Sequence, residues 1–285
     1  MGEALFDCLP EGRKLGGAPA NFAYHAGQFG LHSVAVSAIG DDALGHDIVA
    51  QLKEKNLPAV LEVVPFETGT VQVTLNAAGI PEYEIKEGVA WDNIPYTDAL
   101  RRLAGETCAV CFGSLAQRNP VSRQTIKSFL DDMPDDDRVL KIFDINLRQH
   151  FYSREVLEES LCKCNILKIN DEELQVLANM YSWNGISMKD QCWILLARYA
   201  LKMLILTCGT DGSYVFTPGA VSFQPTPRVE VADTVGAGDS FTGAFVASII
   251  KGRSVEDAHQ RAVNVSAYVC TQNGAMPVLP DSLID

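Results

Sequence analysis

The sequence predicts an α/β fold in three layers, α/β/α, with a central, mostly parallel sheet and a small separate β-sheet. Two observations carry this expectation. Short apolar runs of strand length alternate with longer amphipathic runs of helix length, the pattern of a parallel sheet covered on both faces. One stretch, between about residues 60 and 93, breaks that rhythm with strand patterning and no helical period.

The expected strands of the alternating part are Ser33–Ile39, Val110–Phe112, Val139–Asp144, Ile166–Asn170, Met203–Thr207, Ser213–Phe216 and Arg228–Ala232. The expected helices are Pro19–Phe29, Leu44–Lys55, Ser122–Met133, Arg154–Cys162, Asp171–Met180, Met188–Tyr199, Asp239–Lys251 and Val255–Thr271. In the broken stretch, Thr70–Leu75 and Glu82–Ile85 read as a hairpin whose turn is supplied by Gly79 and Pro81. It is either a β lid on the α/β body or an edge hairpin of the main sheet. No Pro/Gly/Ser linker and no internal repeat divides the chain. One domain is therefore expected over residues 1–285, with the lid formed mainly by residues 60–93 plus part of the N-terminal segment. Met1–Asp7 reads as the end of a strand, and a few residues are expected to be missing from both ends.

The composition is that of an ordinary globular protein, 47% hydrophobic and 21% charged, and its length can bury a core without a metal or disulfide staple. A net charge of −13 argues against general nucleic-acid binding, which rewards clustered Lys and Arg. It leaves a nucleotide substrate open, because backbone N–H groups at a helix start can hold phosphate. Among the eight cysteines, Cys108 and Cys111 form a C-x-x-C, but no second pair or His cluster accompanies it. Buried free thiols are favoured over a metal or redox site, and a reducing, cytoplasmic location follows. No signal peptide is visible, and no apolar run approaches the roughly 18 residues of a membrane span.

The most specific motif is Asp233-Thr-Val-Gly-Ala-Gly-Asp-Ser-Phe241, with an apolar helical run after it and Gly252 where a helix would stop. Gly236 and Gly238 let the backbone turn tightly and approach an anion closely. The first N–H groups of the helix are unpaired and carry the positive end of its dipole, so they can stabilise a developing oxyanion without a lysine. Asp239, in that first turn, can take a proton from a hydroxyl attacking a phosphoryl group. The plainer alternative is a packing turn with Asp239 as an N-cap. No Walker A occurs. Gly236, Gly238 and Gly243 do not make a full dinucleotide fingerprint, which counts against a dinucleotide oxidoreductase. A second motif, Gly16-Gly-Ala-Pro-Ala-Asn21, enters a helix through Pro19, with Gly30 as its stop. Asn21 offers a donor and an acceptor, as a sugar hydroxyl needs, or is a surface residue of the first turn.

Together these motifs resemble the two signatures of the ribokinase-like (PfkB) carbohydrate kinase family, and the resemblance runs from Asp7 to Gly274. It implies that Asp239 is the catalytic base and that the Gly236, Ala237 and Gly238 backbone forms the anion hole. Asp7, Gly16, Gly17 and Asn21 would then bind the sugar, with the hairpin as the family's lid. Asn170-Asp-Glu-Glu173 resembles the N-x-x-E motif, with Asn170 on the nucleotide side and Glu173 placing Mg²⁺ through water. An acidic first turn serving the helix dipole is a compatible reading. Thr207, Gly209 and Gly212 match the loop under ATP, and Asn264 a position facing adenine. Arg148, in Asp144-Ile-Asn-Leu-Arg148, would face the phosphate or the sugar, or serve as a surface ion-pair partner. A monovalent cation such as K⁺ near Asp233 and Gly274 is a family habit.

The expected activity is transfer of the γ-phosphoryl of ATP to a primary hydroxyl of a monosaccharide. Gly2-Glu-x-x-x-Asp7, Gly79-x-Pro-x-Tyr83 and Asp144-x-Asn-x-Arg148 look fructokinase-like, which puts fructose first. Ribose, 2-keto-3-deoxygluconate and nucleosides are rival acceptors within the same chemistry. A non-catalytic sugar- or nucleotide-binding regulator is the rival of another class. Expected partners are therefore sugar and ATP, with no nucleic acid or membrane, and pairing through the lid offers a route to a homodimer.

Overall fold

The computed structural model describes residues 1–9, 12–75 and 81–284. The strands are β1 Leu5–Leu9, β2 Gly12–Gly16, β3 Ala35–Gly40, β4 Ala59–Val64, β5 Gly69–Leu75, β6 Pro81–Ile85, β7 Ala109–Phe112, β8 Leu140–Asp144, β9 Ile166–Asn170, β10 Met203–Thr207, β11 Ser213–Thr217 and β12 Ala220–Gln224. The helices are α1 Ala18–Gln28, α2 Ala43–Glu54, α3 Asp98–Glu106, α4 Pro120–Asp132, α5 Arg154–Lys163, α6 Asp171–Met180, α7 Met188–Arg198, α8 Ala237–Ile250, α9 Val255–Cys270 and α10 Asp281–Ile284.

The body sheet runs β12-β11-β10-β9-β8-β7, parallel from β7 to β10 and antiparallel at β11 and β12. The parallel pair β3-β4 lies beyond β7, and the extended segment Met1–Ala4 bridges the gap. There the Gly2 N–H donates to the Val36 carbonyl at 3.0 Å and the Met1 amine to the Cys111 carbonyl at 2.8 Å. Strands such as Ile166–Asn170 are buried on both faces, as helix-covered parallel strands must be. The core follows the sheet, with Phe112 and Phe143 stacked at 5.2 Å on neighbouring strands.

A second sheet of four strands, β2-β1-β5-β6, stands apart from the body. The hairpin reading of β5 and β6 holds, and pairing with β1 places them away from the main sheet's edge. The turn at Gly79 lies outside the described residues. The expected span of 60–93 is too wide, because Ala59–Val64 pairs with β3 rather than with this sheet.

The strand expected over Arg228–Ala232 does not form. Pro225 and Pro227 remove two backbone donors just before it, and β12 already occupies the edge beside β11. Its alternating Val229 and Val231 are exposed instead. Helix α3, unforeseen from sequence, is capped by the Thr97 hydroxyl.

Candidate active site

The glycine turn caps α8. Gly236 is the N-cap at φ 77°, a left-handed conformation that favours glycine, and a Cβ there would stand 2.6 Å from the Ala275 Cβ. Ala237, Gly238 and Asp239 make the first turn, whose N–H groups have no partner within the helix. All four residues line one large cleft between the small sheet and the body.

Asp239 lies deep in that cleft, with only part of its surface open. Its Oδ2 accepts from Asn21 Nδ2 at 2.7 Å, although the two residues are 218 apart in sequence. Burial pushes its pKa up to about 7 and the neighbouring Asp144 adds to the rise, while the Asn21 hydrogen bond and Lys168 oppose it. Asn21 itself is buried, so the surface-residue alternative fails. Its Oδ1 and the Oε2 of buried Glu3 are acceptors with no protein partner. Both residues line the cleft, and unpartnered buried acceptors suit a ligand rich in hydroxyl donors.

Lys168 reaches the same point from β9. Its Nζ lies 3.2 Å from Asp144 Oδ1, and a Cβ on Gly238 would stand 3.1 Å from it. Burial disfavours the ammonium, but Asp144, Glu173 and Asp239 outweigh it and hold the pKa above the usual lysine range. A fixed positive charge therefore sits against the glycine turn. Sequence reading missed Lys168; its one signal was a lone charge inside the apolar strand Ile166–Asn170.

Glu173 and Asn170 form a reciprocal capping box at the start of α6. The Glu173 carboxylate accepts from the Asn170 and Leu147 N–H groups, each at 2.9 Å, which ties the loop carrying Arg148 to α6. Burial raises its pKa, against the pull of Lys168.

On the small sheet, Asp7 pairs in register with Lys14, and a Cβ on Gly16 would stand 2.5 Å from the Asp7 carboxylate. Burial raises the Asp7 pKa, opposed by Arg148 and Lys14. Gly17, at φ 121°, caps α1, and a Cβ there would stand 2.4 Å from the Glu3 carbonyl oxygen. Arg148 is exposed and lines the cleft beside these groups. Thr207, Gly209 and Gly212 also line it, around the 3-10 turn Gly209–Asp211.

One expectation changes. Asn264 does not line the cleft; it is exposed and accepts from Gln260. The helical period turns Val263, Ser266, Ala267 and Cys270 of α9 inward instead. Asp233 does meet the Gly274 loop, but its carboxylate is occupied. It accepts from the Val235 N–H at 3.0 Å and the Gly274 N–H at 3.2 Å, and pairs with Lys14 Nζ at 3.4 Å. These donors hold the Asp233 turn against the Gly274 loop. Among the described residues no three His, Cys, Asp or Glu side chains cluster to hold a metal. The hard oxygens of Asp144 and Glu173 fit a Mg²⁺ that keeps its waters and is held mainly by substrate phosphates.

The family model of pfkB family carbohydrate kinases matches residues 11–282. An "ATP-dependent 6-phosphofructokinase" from Thermoanaerobacterium thermosaccharolyticum is 30% identical, covering 97% of this chain and 85% of the relative. "Probable fructokinase-4" from Arabidopsis thaliana is 29% identical, covering 98% and 92%. The crystal structure of fructokinase with bound ATP from Xylella fastidiosa superposes with a TM-score of 0.85 at 22% identity, covering 99% of this chain and 96% of that one.

Proposed function

Because the chain belongs to the pfkB carbohydrate kinase family, whose members phosphorylate sugar hydroxyls, we propose that it transfers the γ-phosphoryl of ATP to a primary hydroxyl of fructose. The observation that carries this reading is the 2.7 Å contact between Asn21 and Asp239. It joins the polyol-suited end of the cleft to a carboxylate at the mouth of an anion turn. Ionised Asp239 accepts the proton of the attacking hydroxyl, which Asn21 and Asp7 orient. The Gly236–Gly238 backbone and the Lys168 ammonium stabilise charge on the transferred phosphoryl group. Mg²⁺ arriving with ATP would be held through water by Asp144 and Glu173 and would neutralise phosphate charge. Asn170, Thr207, Gly209 and Gly212 form the nucleotide side. The small sheet acts as a lid that excludes water, a competing acceptor.

Asp239→Ala is expected to lower turnover by roughly 10²–10⁴-fold with the fold intact, the usual worth of a positioned base. Turnover close to wild type would remove Asp239 from the mechanism. The acceptor is tested by kcat/KM for fructose, ribose, 2-keto-3-deoxygluconate and adenosine with ATP and Mg²⁺. Fructose 6-phosphate belongs in the same panel, because Arg148 and Lys14 flank Asp7 and could hold an acceptor's phosphate. That second reading also agrees with the 6-phosphofructokinase relative. Sugar binding without ADP formation would revive the regulator.

A cytoplasmic setting goes with this function; all eight cysteines are free. Among the described residues no helix is long and apolar enough to cross a membrane. Dimerisation through the lid is the assembly we favour, and a monomer mass by light scattering would remove it.

A further inference from the structure

His25 lies one turn beyond Asn21 on α1, so the two share a face of the helix. It is fully buried, and the chemistry above makes no use of it. Its Nε2 is 2.9 Å from the Ala275 carbonyl, and Gln28 Nε2 is 3.3 Å from its Nδ1. A carbonyl only accepts, so Nε2 carries the proton, and Nδ1 is left to accept from the Gln28 amide. The neighbours thus select one neutral tautomer. Burial acts the same way and holds the imidazole pKa down to about 4.

The segment that His25 grips is the floor of the anion turn. Ala275 is the residue that a Cβ on Gly236 would strike, at 2.6 Å from its Cβ and 2.9 Å from its carbonyl oxygen. Neighbouring atoms are tied down as well. Gln28 donates to the Pro277 carbonyl at 3.3 Å and accepts from the Leu279 N–H at 2.7 Å, and Lys55 donates to the Met276 carbonyl at 3.1 Å. The helices leave no slack, since a Cβ on Gly243 of α8 would stand 3.0 Å from the His25 Cβ. One rigid helix therefore contacts the base through Asn21 and supports the turn beside it through His25.

We propose that His25 is a positioning residue for phosphoryl transfer: its Nε2–H fixes Ala275, and thereby the depth at which Gly236–Gly238 face the transferred group, while Gln28 locks the tautomer. The proposal rests on the reading of that turn as an anion hole. A histidine that only fills the core would affect stability alone; this one acts on the transition state.

The test compares His25→Phe, which fills the space but cannot donate, with His25→Gln, whose amide can replace Nε2–H. For each, kcat, KM for sugar and for ATP, thermal midpoint, and affinity for ADP with aluminium fluoride, a mimic of the transferring phosphoryl, are measured. His25→Phe is expected to lose at least about tenfold in kcat and in affinity for the mimic, with both KM values within about twofold. His25→Gln recovers most of the loss. A kcat for His25→Phe within twofold of wild type, or equal losses in both variants tracking their thermal midpoints, overturns the proposal. If His25→Phe does not fold, His25→Leu, which likewise cannot donate to the Ala275 carbonyl, is judged by the same criteria. Because the mimic is read without turnover, a wild type inactive on every sugar refutes the functional reading, while the comparison of affinities still decides the role of His25.

Discussion

If Asp239 is the base, the reaction must switch on near neutral pH rather than near pH 4. Burial, followed by the charge of Asp144, pushes its pKa up to about 7. Such a group is about half ionised at pH 7, about a tenth at pH 6 and about nine-tenths at pH 8. The acid limb of kcat/KM for the sugar should therefore fall about fivefold from pH 7 to pH 6 and rise nearly twofold from pH 7 to pH 8. Asp144→Asn sharpens the test. It removes the neighbouring negative charge and frees the Lys168 ammonium, now 3.2 Å from Asp144, to act on Asp239. Both changes favour the carboxylate, so the limb moves to lower pH. The assay is direct chromatography of ADP, which avoids coupling enzymes with their own pH dependence, at saturating ATP and low sugar. A wild-type profile flat from about pH 5.5 to pH 8 would refute the reasoning. So would a limb that persists in the residual rate of Asp239→Asn, because it would belong to another group.

Other outcomes follow from the same groups. The folded pKa of Asp239 lies above its ordinary value, so its ionisation costs the folded state stability. That cost is complete above about pH 7 and disappears as the carboxyl protonates in both states toward pH 4. Asp239→Asn should therefore be more stable than wild type at pH 8 by roughly 1–3 kcal/mol, reduced for partial exposure, with the gap closing by pH 4 in thermal scans. Gly236→Ala must strain a φ of 77° and meet Ala275 at 2.6 Å. A loss of about tenfold or more in kcat is expected at nearly unchanged KM for sugar, and wild-type kinetics would show that the turn tolerates displacement. Lys14→Ala breaks a partly exposed 3.4 Å pair, so stability should change by less than about 1 kcal/mol. It also removes a cation opposite Asp7, and KM for the sugar should change severalfold; an unchanged KM would take Lys14 out of the acceptor end.

What could be read in advance was whatever the chain encodes over a few consecutive residues. Gly236, Gly238 and Asp239 are contiguous, and the left-handed cap, the first-turn amides without a partner in the helix and the acidic first turn all follow from local chemistry. The Asn170–Glu173 box and the stops at Gly30 and Gly252 are local in the same sense. Failures began where a neighbour from elsewhere decides. Arg228–Ala232 has a strand's alternation, but β12 had taken the edge it would need. Asn264 sits on the right helix at the wrong phase, and one residue of rotation separates Val263, which lines the cleft, from a solvent-facing amide. The charge under the glycine turn was hidden for a stronger reason. Lys168 and Asp144 meet only because β8 and β9 pair with Asp144 opposite Lys168, a register no local pattern specifies. Asn21 touches Asp239 only because α1 packs on α8 so closely that Gly243 has no room for a side chain. Candidate groups for chemistry can thus be named from motifs, whereas those that set the pKa and surroundings of Asp239 depend on strand register and helix contact. Mutations at Lys168 and Gly243 should accordingly be as damaging to turnover as those within the motifs themselves.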